Sequence, residues 1–406
     1  MKIESYRHRG GEHIESTVMA GALAHAGLLD PTTGEPLSEA VVFGIAGGVG
    51  AGLSFCPSVL RSGHGAGITV VGRHRSAVCD GGWHRGLLDR LGVDYEVTES
   101  SSANAASKKL AQALAQGSPV VVQCSKGLPY YGPESPTCAV MQWAWDVVVV
   151  SVDADAGVAE VGDLTDGTLL VPLEELARVR AQTCTHKNRS FRVPPVTRKL
   201  TKKALKGSLL EGVRACAQAM REPRMKTFSL QGVAKWAKSI GNTKAKSGWL
   251  RTFPGGQLYW ALRDVFSSIE VDGPAGLMRP MYAEFLDHAA GIVGKRRVLE
   301  ACAQDYRALG AEWTALAEAA LPDRVKPFKQ TKSLLRKQVA LFAEKGARAA
   351  KQMARNRNKL AEIDAAMHAD FPLDDDAAGA LLGQLQTRIQ ALHEHETATL
   401  ERLSAI

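Results

Sequence analysis

Three absences narrow the class of this 406-residue chain. No apolar run reaches the roughly 20 residues that a membrane-spanning helix needs, so no transmembrane segment is expected. The first residues, Met1 to Tyr6, contain no apolar stretch of the kind that directs secretion. No Cys-x-x-Cys occurs, and the seven cysteines are scattered without pairing or metal-ligand spacing. That pattern speaks against a disulfide framework, suggests no metal site and no cofactor, and fits reduced thiols in a cytoplasmic protein. Acidic residues are also missing from two stretches. None lies between Glu175 and Glu211, while Lys187, Arg189, Arg192, Arg198, Lys199, Lys202, Lys203 and Lys206 accumulate there. From Arg324 to Lys359 the only acid is Glu344, although Arg336 and Lys337 lie in that span. The net charge of +8 is therefore uneven. Such blocks attract anionic partners, or they coat a solvated helix face.

The chain that remains reads as α+β, with a mixed first half and a mostly helical second half. After a first helix, Ala40–Gly44 reads as a short strand that leads into the glycine loop Gly47-Gly48-Val49-Gly50-Ala51-Gly52. Gly67–Gly72 is a second β-like run, residues 81–92 a helix, Asp94–Thr98 extended and residues 102–116 a helix. Pro119–Gln123 and the valine run Asp146–Val152 read as buried strands, and Gly157–Asp163 as a hairpin partner. Hairpin-joined short strands favour an antiparallel sheet. Residues 182–200, basic and holding Pro194-Pro195, read as a connector. The domains expected are 1–195, then a helical part 196–322, then a helical hairpin 323–406. In that hairpin a basic helix over 328–369 pairs with one over 374–403. Leu334, Leu335, Val339 and Phe342 face the last helix, and the aspartates at 374–376 sit at its N-terminus. Such a hairpin could form a homodimer.

The most informative segment is His8–Thr17, where Gly10-Gly11 opens into an apolar helix. A turn feeding a helix N-terminus is where many thiol enzymes place their nucleophile, because the helix dipole and free N–H groups stabilise a thiolate. The position that would carry sulfur here is Ile14. The glycine loop does not read as a nucleotide site. Pro57 comes too early for a long helix behind it, and no acid follows at the ribose-binding distance. Gly47, Gly48 and Gly50 are then a tight loop that could line a pocket. His13 and His25 have no companion ligands at metal spacing. Cys184 and His186, two apart in a loop, form no useful pair, and Cys56 and Cys124 read as small buried side chains. Trp143 and Trp145 stand at the start of the valine strand, where they could plug a cleft.

Several of these pieces together resemble the butirosin biosynthesis protein H family over nearly the whole chain. They are the glycine approach to His13, Glu15–Ala20, Phe43–Gly50, the valine strand ending at Asp153, and Val161-Gly162-Asp163. In the second half they are Phe228–Ala237, Gly248-Trp249, Arg279–Leu286 and Glu318–Pro322. The resemblance implies a papain-like N-terminal domain followed by a helical domain. It also implies an acyltransferase that moves an aminoacyl group from an acyl carrier protein to an aminoglycoside amine, using a thiolate and a histidine. Carrier proteins are acidic, so Arg198, Lys199, Lys202, Lys203, Arg336 and Lys337 become candidates for docking a partner.

At the chemical positions the chain departs from that pattern. The family's cysteine follows the histidine matched by His13, and here that residue is Ile14. The family's catalytic histidine is matched by Trp145, on an ungapped count back from Asp153. The acidic third member is matched by Asp163. Isoleucine offers no nucleophile and indole is no base, so loss of both removes the chemistry. Ser16 and Thr17 point elsewhere on the helix, and Glu15 is a base without a nucleophile. The expectation is a catalytically degenerate family member that binds a carrier protein, a peptide or a partner enzyme in specialised metabolism. Two alternatives are an acyltransferase working by positioning alone, with His13 or Glu15 as base, and association of the basic helix with a nucleic acid or a membrane surface. Of these, nucleic-acid binding is the less favoured.

Overall fold

The structure, a computed structural model, describes residues 2–63, 65–73, 82–131, 145–182, 187–223 and 225–406. It is α+β, with a sheet-bearing N-terminal region and a helical C-terminal one. The described chain forms two compact units. The first contains Met1–Gly47, Ala77–Gly212 and Leu341–Ala350; the second contains Gly48–Ser76, Val213–Ala340 and Lys351–Ile406. The first unit therefore runs past residue 195 and takes in a short piece from the C-terminal third.

In the first unit α1 spans Ile14–His25 and α2 spans Glu39–Ile45. The Ala40–Gly44 segment expected as a strand is thus helical. Ser38 caps it by accepting from the Val41 N–H, which outweighs the β preference of Val41 and Val42. In the second unit come β1 (Leu53–Phe55), α3 (Pro57–Ser62) and β2 (Ile68–Val70), with β1 and β2 antiparallel. Back in the first unit are α4 (Gly82–Leu91), β3 (Glu96–Thr98), α5 (Ala103–Ala115), β4 (Val120–Cys124), β5 (Trp145–Asp153), β6 (Val158–Gly162), β7 (Thr168–Pro172), α6 (Leu173–Ala181) and β8 (Ser190–Arg192).

Six of these strands form an antiparallel sheet in the order β3-β8-β4-β5-β6-β7. β4 is buried throughout and β5 from Asp146 to Val150, as their valines require. Each buried valine contributes about 1.5–3 kcal/mol to folding. The helix α1 packs on β4 and β5. The segment read as a basic connector supplies β8, an inner strand pairing with both β3 and β4. Its arginines disguise it. Arg189, just before the strand, pairs with Glu99 at 2.8 Å, and Arg192, within it, pairs with Glu96 at 2.6 Å, so both are buried with their charges matched.

The helices beyond are α7 (Lys202–Arg221), α8 (Leu230–Ile240), α9 (Trp249–Thr252), α10 (Gly256–Glu270), α11 (Arg279–Val293), α12 (Arg296–Ala320), α13 (Lys326–Lys345), α14 (Ala350–Ala369) and α15 (Asp375–Ser404). In the second unit α12 packs on α10, α11 and α15, and α15 packs chiefly on α8 and α12. The single long helix expected over 328–369 is broken at Gly346, whose φ of 53° ends α13. Phe342 does not face α15. It stacks on Tyr130 and lies against Tyr131 within the first unit, and Val339 is exposed. Asp374 caps α15 by accepting from the Ala377 N–H at 2.8 Å. Among the described residues no helix is long and apolar enough to cross a membrane.

Candidate functional site

The glycine turn and the loop after β6 build one corner of the first unit. The Gly11 N–H donates to the Leu164 carbonyl at 3.2 Å and the Gly10 N–H to Asp166 Oδ1 at 2.9 Å. A Cβ on Gly10 would collide with the Leu164 carbonyl, so glycine is what lets the two chains approach. His8 is bonded to the main-chain oxygen of Asp163 through Nε2. A carbonyl only accepts, so Nε2 carries the proton and Nδ1 accepts from the Tyr6 hydroxyl at 3.2 Å. Burial holds the His8 imidazole below its usual range, which keeps this tautomer neutral.

The helix after the turn begins four residues earlier than its apolar run, because His13 caps it. Ser16 donates to His13 Nδ1 from both its hydroxyl, at 2.7 Å, and its main-chain N–H, at 3.4 Å. Nδ1 is thereby the acceptor, and Nε2 faces Glu15 Oε2 at 2.9 Å. This serine–imidazole–carboxylate series has the connectivity of a relay but lies within a buried helix cap, where Ser16 is 0% exposed. Ile14 is also buried, at 5% exposure, and holds no polar atom beyond its backbone. The main-chain donors before the helix are answered by Glu39 of α2. Its carboxylate accepts from the N–H groups of Glu12 and His13, the latter at 2.6 Å, and from the Thr17 hydroxyl at 2.8 Å. A carboxylate at a helix N-terminus is favourably placed. His13, Ile14, Glu15 and Thr17 are therefore gathered at one helix mouth, with an acid of the protein itself against it.

The second group surrounds Asp163 at the end of β6. Its buried carboxylate accepts from Tyr130 Oη at 2.6 Å, Tyr131 Oη at 2.7 Å and the Leu164 N–H at 2.7 Å. Trp145, first residue of β5, directs its indole N–H at the same carboxylate from 3.5 Å. Burial raises the Asp163 carboxyl, and the two phenols pull it back towards ionisation. Burial and the neighbouring carboxylate raise both phenols well above their usual range, so they stay protonated donors. Next to Trp145, Asp146 points to the opposite side of β5, where its Oδ2 meets His84 Nε2 at 2.6 Å. Among the described residues His84 Nδ1 and Asp146 Oδ1 are buried without a hydrogen-bond partner, and His84 stacks on Phe191.

The other sequence candidates lie apart from these groups. Trp143, Cys184 and His186 fall outside the described residues. Gly47 donates to the Gly44 carbonyl in the first unit. In the second unit a Cβ on Gly48 would strike the Tyr282 ring, and the Gly50 carbonyl accepts from Arg279 at 2.7 Å. Arg198, Lys199, Lys202, Lys203 and Lys337 are exposed. Arg336 is engaged within its own unit, bonded to Glu318 and 3.4 Å from Glu270, so it is less open to a partner. Among the described residues no group of three or more His, Cys, Asp or Glu side chains could hold a metal ion.

Sequence reasoning missed Glu39, Tyr130, Tyr131 and the His84–Asp146 pair. Asp146, at the head of a buried valine run, was the one available signal, since a buried acid requires a partner.

Residues 13–164 match the family model described as butirosin biosynthesis protein H, N-terminal. Residues 174–355 match a domain of unknown function, DUF4872. No curated protein matches the chain. The two adjoining matches agree with the resemblance carried by the chain's own residues and support a butirosin biosynthesis protein H-like family.

Proposed function

We propose that this chain is a catalytically degenerate member of its family, a binding or accessory component of natural-product or peptide biosynthesis rather than a thiol acyltransferase. The observation that carries the reading is the pairing of Trp145 with Asp163: an indole N–H meets the acid where a triad would need an imidazole. Buried Ile14 supports it from the other side, since an aliphatic side chain can neither attack a thioester nor accept its acyl group. The His13–Ser16 contact offers no ready substitute, because Ser16 is closed from solvent and its hydroxyl and N–H are both turned to the capping His13 ring.

The partner best suited to this role is an acidic acyl carrier protein. Exposed Arg198, Lys199, Lys202 and Lys203 support that choice through the charge they present. The free thiols Cys56, Cys216 and Cys302 support a reducing, cytoplasmic setting.

The test incubates the full chain with an acyl-carrier thioester and an amine and follows thioester loss. Wild type and Ile14→Ala should both stay at the uncatalysed rate. Turnover above background that Ser16→Ala or His13→Ala abolishes, with Ile14→Ala unaffected, would overturn the proposal.

A further inference from the structure

Lys126 holds its ammonium over the Trp145 ring, 4.6 Å from the centroid, and 5.7 Å from that of Tyr131. The two rings stand at 86° with centroids 5.6 Å apart, so they form two walls of a corner. Behind the corner lies Asp163, which accepts from the Tyr131 hydroxyl and faces the indole N–H. Donation to a carboxylate leaves more electron density on the ring faces, and the carboxylate's own charge adds a field of the same sign.

Lys126 sits on the turn after β4, and that turn is tied down. The Ser125 N–H donates to the Val179 carbonyl at 2.9 Å, the Ser125 hydroxyl bonds Gln182 at 3.1 Å, and Arg178 donates to the Gly127 carbonyl at 2.8 Å. Lys126, Tyr131 and Trp145 are each partly exposed.

We propose that the Trp145–Tyr131 corner is a binding site for an alkylated organic ammonium ion, for which Lys126 is a resident stand-in. The proposal rests on reading this part of the molecule as a binding site. Its test reads affinity where the function test reads turnover, so the two fail separately. A cation must lose water to sit on an aromatic face. An alkylated ammonium is less strongly hydrated than the lysine head it displaces, and tryptophan is the best aromatic partner for it. A quaternary ammonium has no lone pair and cannot accept an acyl group, so the corner holds its ligand rather than presenting it for transfer.

The experiment is a calorimetric titration of the full chain with choline and, separately, with its neutral isostere 3,3-dimethylbutan-1-ol. Lys126→Met keeps the aliphatic stem and removes the competing charge, and it should bind choline about tenfold more tightly than wild type. The isostere should bind that variant about tenfold more weakly than choline does. Trp145→Leu in the Lys126→Met background should lose choline. Trp145→Phe, which preserves an aromatic ring if leucine destabilises the strand, should show intermediate affinity. No gain on removing Lys126, equal affinity for choline and isostere, or choline binding retained in both Trp145 variants would each overturn the assignment.

Discussion

Replacing Asp163 by alanine probes the hydrogen-bond arrangement behind the Trp145 ring. The carboxylate is fully buried and accepts from Tyr130, Tyr131 and the Leu164 N–H, all within 2.7 Å. Alanine leaves these three donors facing a methyl group. A buried donor stripped of its partner costs about 1–3 kcal/mol. The Tyr130 and Tyr131 rings are 4.9 Å apart, so one hydroxyl can turn towards the other and recover roughly one bond. Removing a carboxylate that burial already disfavours returns a further part of the loss. The net destabilisation is then about 3 kcal/mol at neutral pH. Urea denaturation of the full chain measures it, and a cycle with Tyr130→Phe/Tyr131→Phe shows where it comes from. Without the phenols, alanine at 163 should cost about 2 kcal/mol less than with them. A strictly additive cycle, or a loss below about 1 kcal/mol in the otherwise native chain, refutes the reasoning.

Two further predictions concern the second unit. Burial pushes the Asp264 carboxyl up to about 7, where it accepts from the Ile68 N–H at 3.0 Å. The folded state therefore keeps this proton to higher pH than the unfolded chain does. Its advantage is complete below about pH 4 and is lost as pH rises to about 7. Asp264→Asn should flatten that profile, so that wild type gains about 2–3 kcal/mol relative to the variant between pH 7.5 and pH 5; parallel profiles in denaturant would count against it. Glu396→Gln removes the countercharge of buried Arg279, whose Nε lies 3.1 Å from Glu396 Oε1, and should cost about 3–5 kcal/mol. Thermal unfolding reads that loss, and joint replacement by Arg279→Met with Glu396→Leu should restore most of it, because no charge is then left unpaired.

Where one face or one period decides the structure, the sequence was legible. The valines of β4 and β5 lie in a buried antiparallel sheet, and Asp374 caps the last helix as its charge requires. Long-range pairing was not visible. Arg189 and Arg192 made β8 look like a linker, because the acids that neutralise them, Glu99 and Glu96, lie some ninety residues earlier. Ser38 was a local signal that should have turned Ala40–Gly44 into a helix. The place of Ile14 at the mouth of the first helix could be read directly from the glycine turn before it. The acid against its helix and the phenols around Asp163 could not, since nothing in the spacing of Glu39, Tyr130 or Tyr131 points to either group.

Glu39 bears on how a thiol placed at position 14 would behave. A new cysteine at 14 would enter a helix mouth where Glu39 already takes the Glu12 and His13 N–H groups. That fixed negative charge opposes a thiolate just where the helix dipole would otherwise favour one. Histidine at 145 would face the carboxylate of Asp163, which the Trp145 indole N–H faces now. The carboxylate of Glu39 would have to be removed or neutralised before the helix mouth could favour a thiolate at 14. On the function proposed above, the two positions therefore differ: a histidine at 145 meets a ready acid, and a cysteine at 14 meets a fixed negative charge.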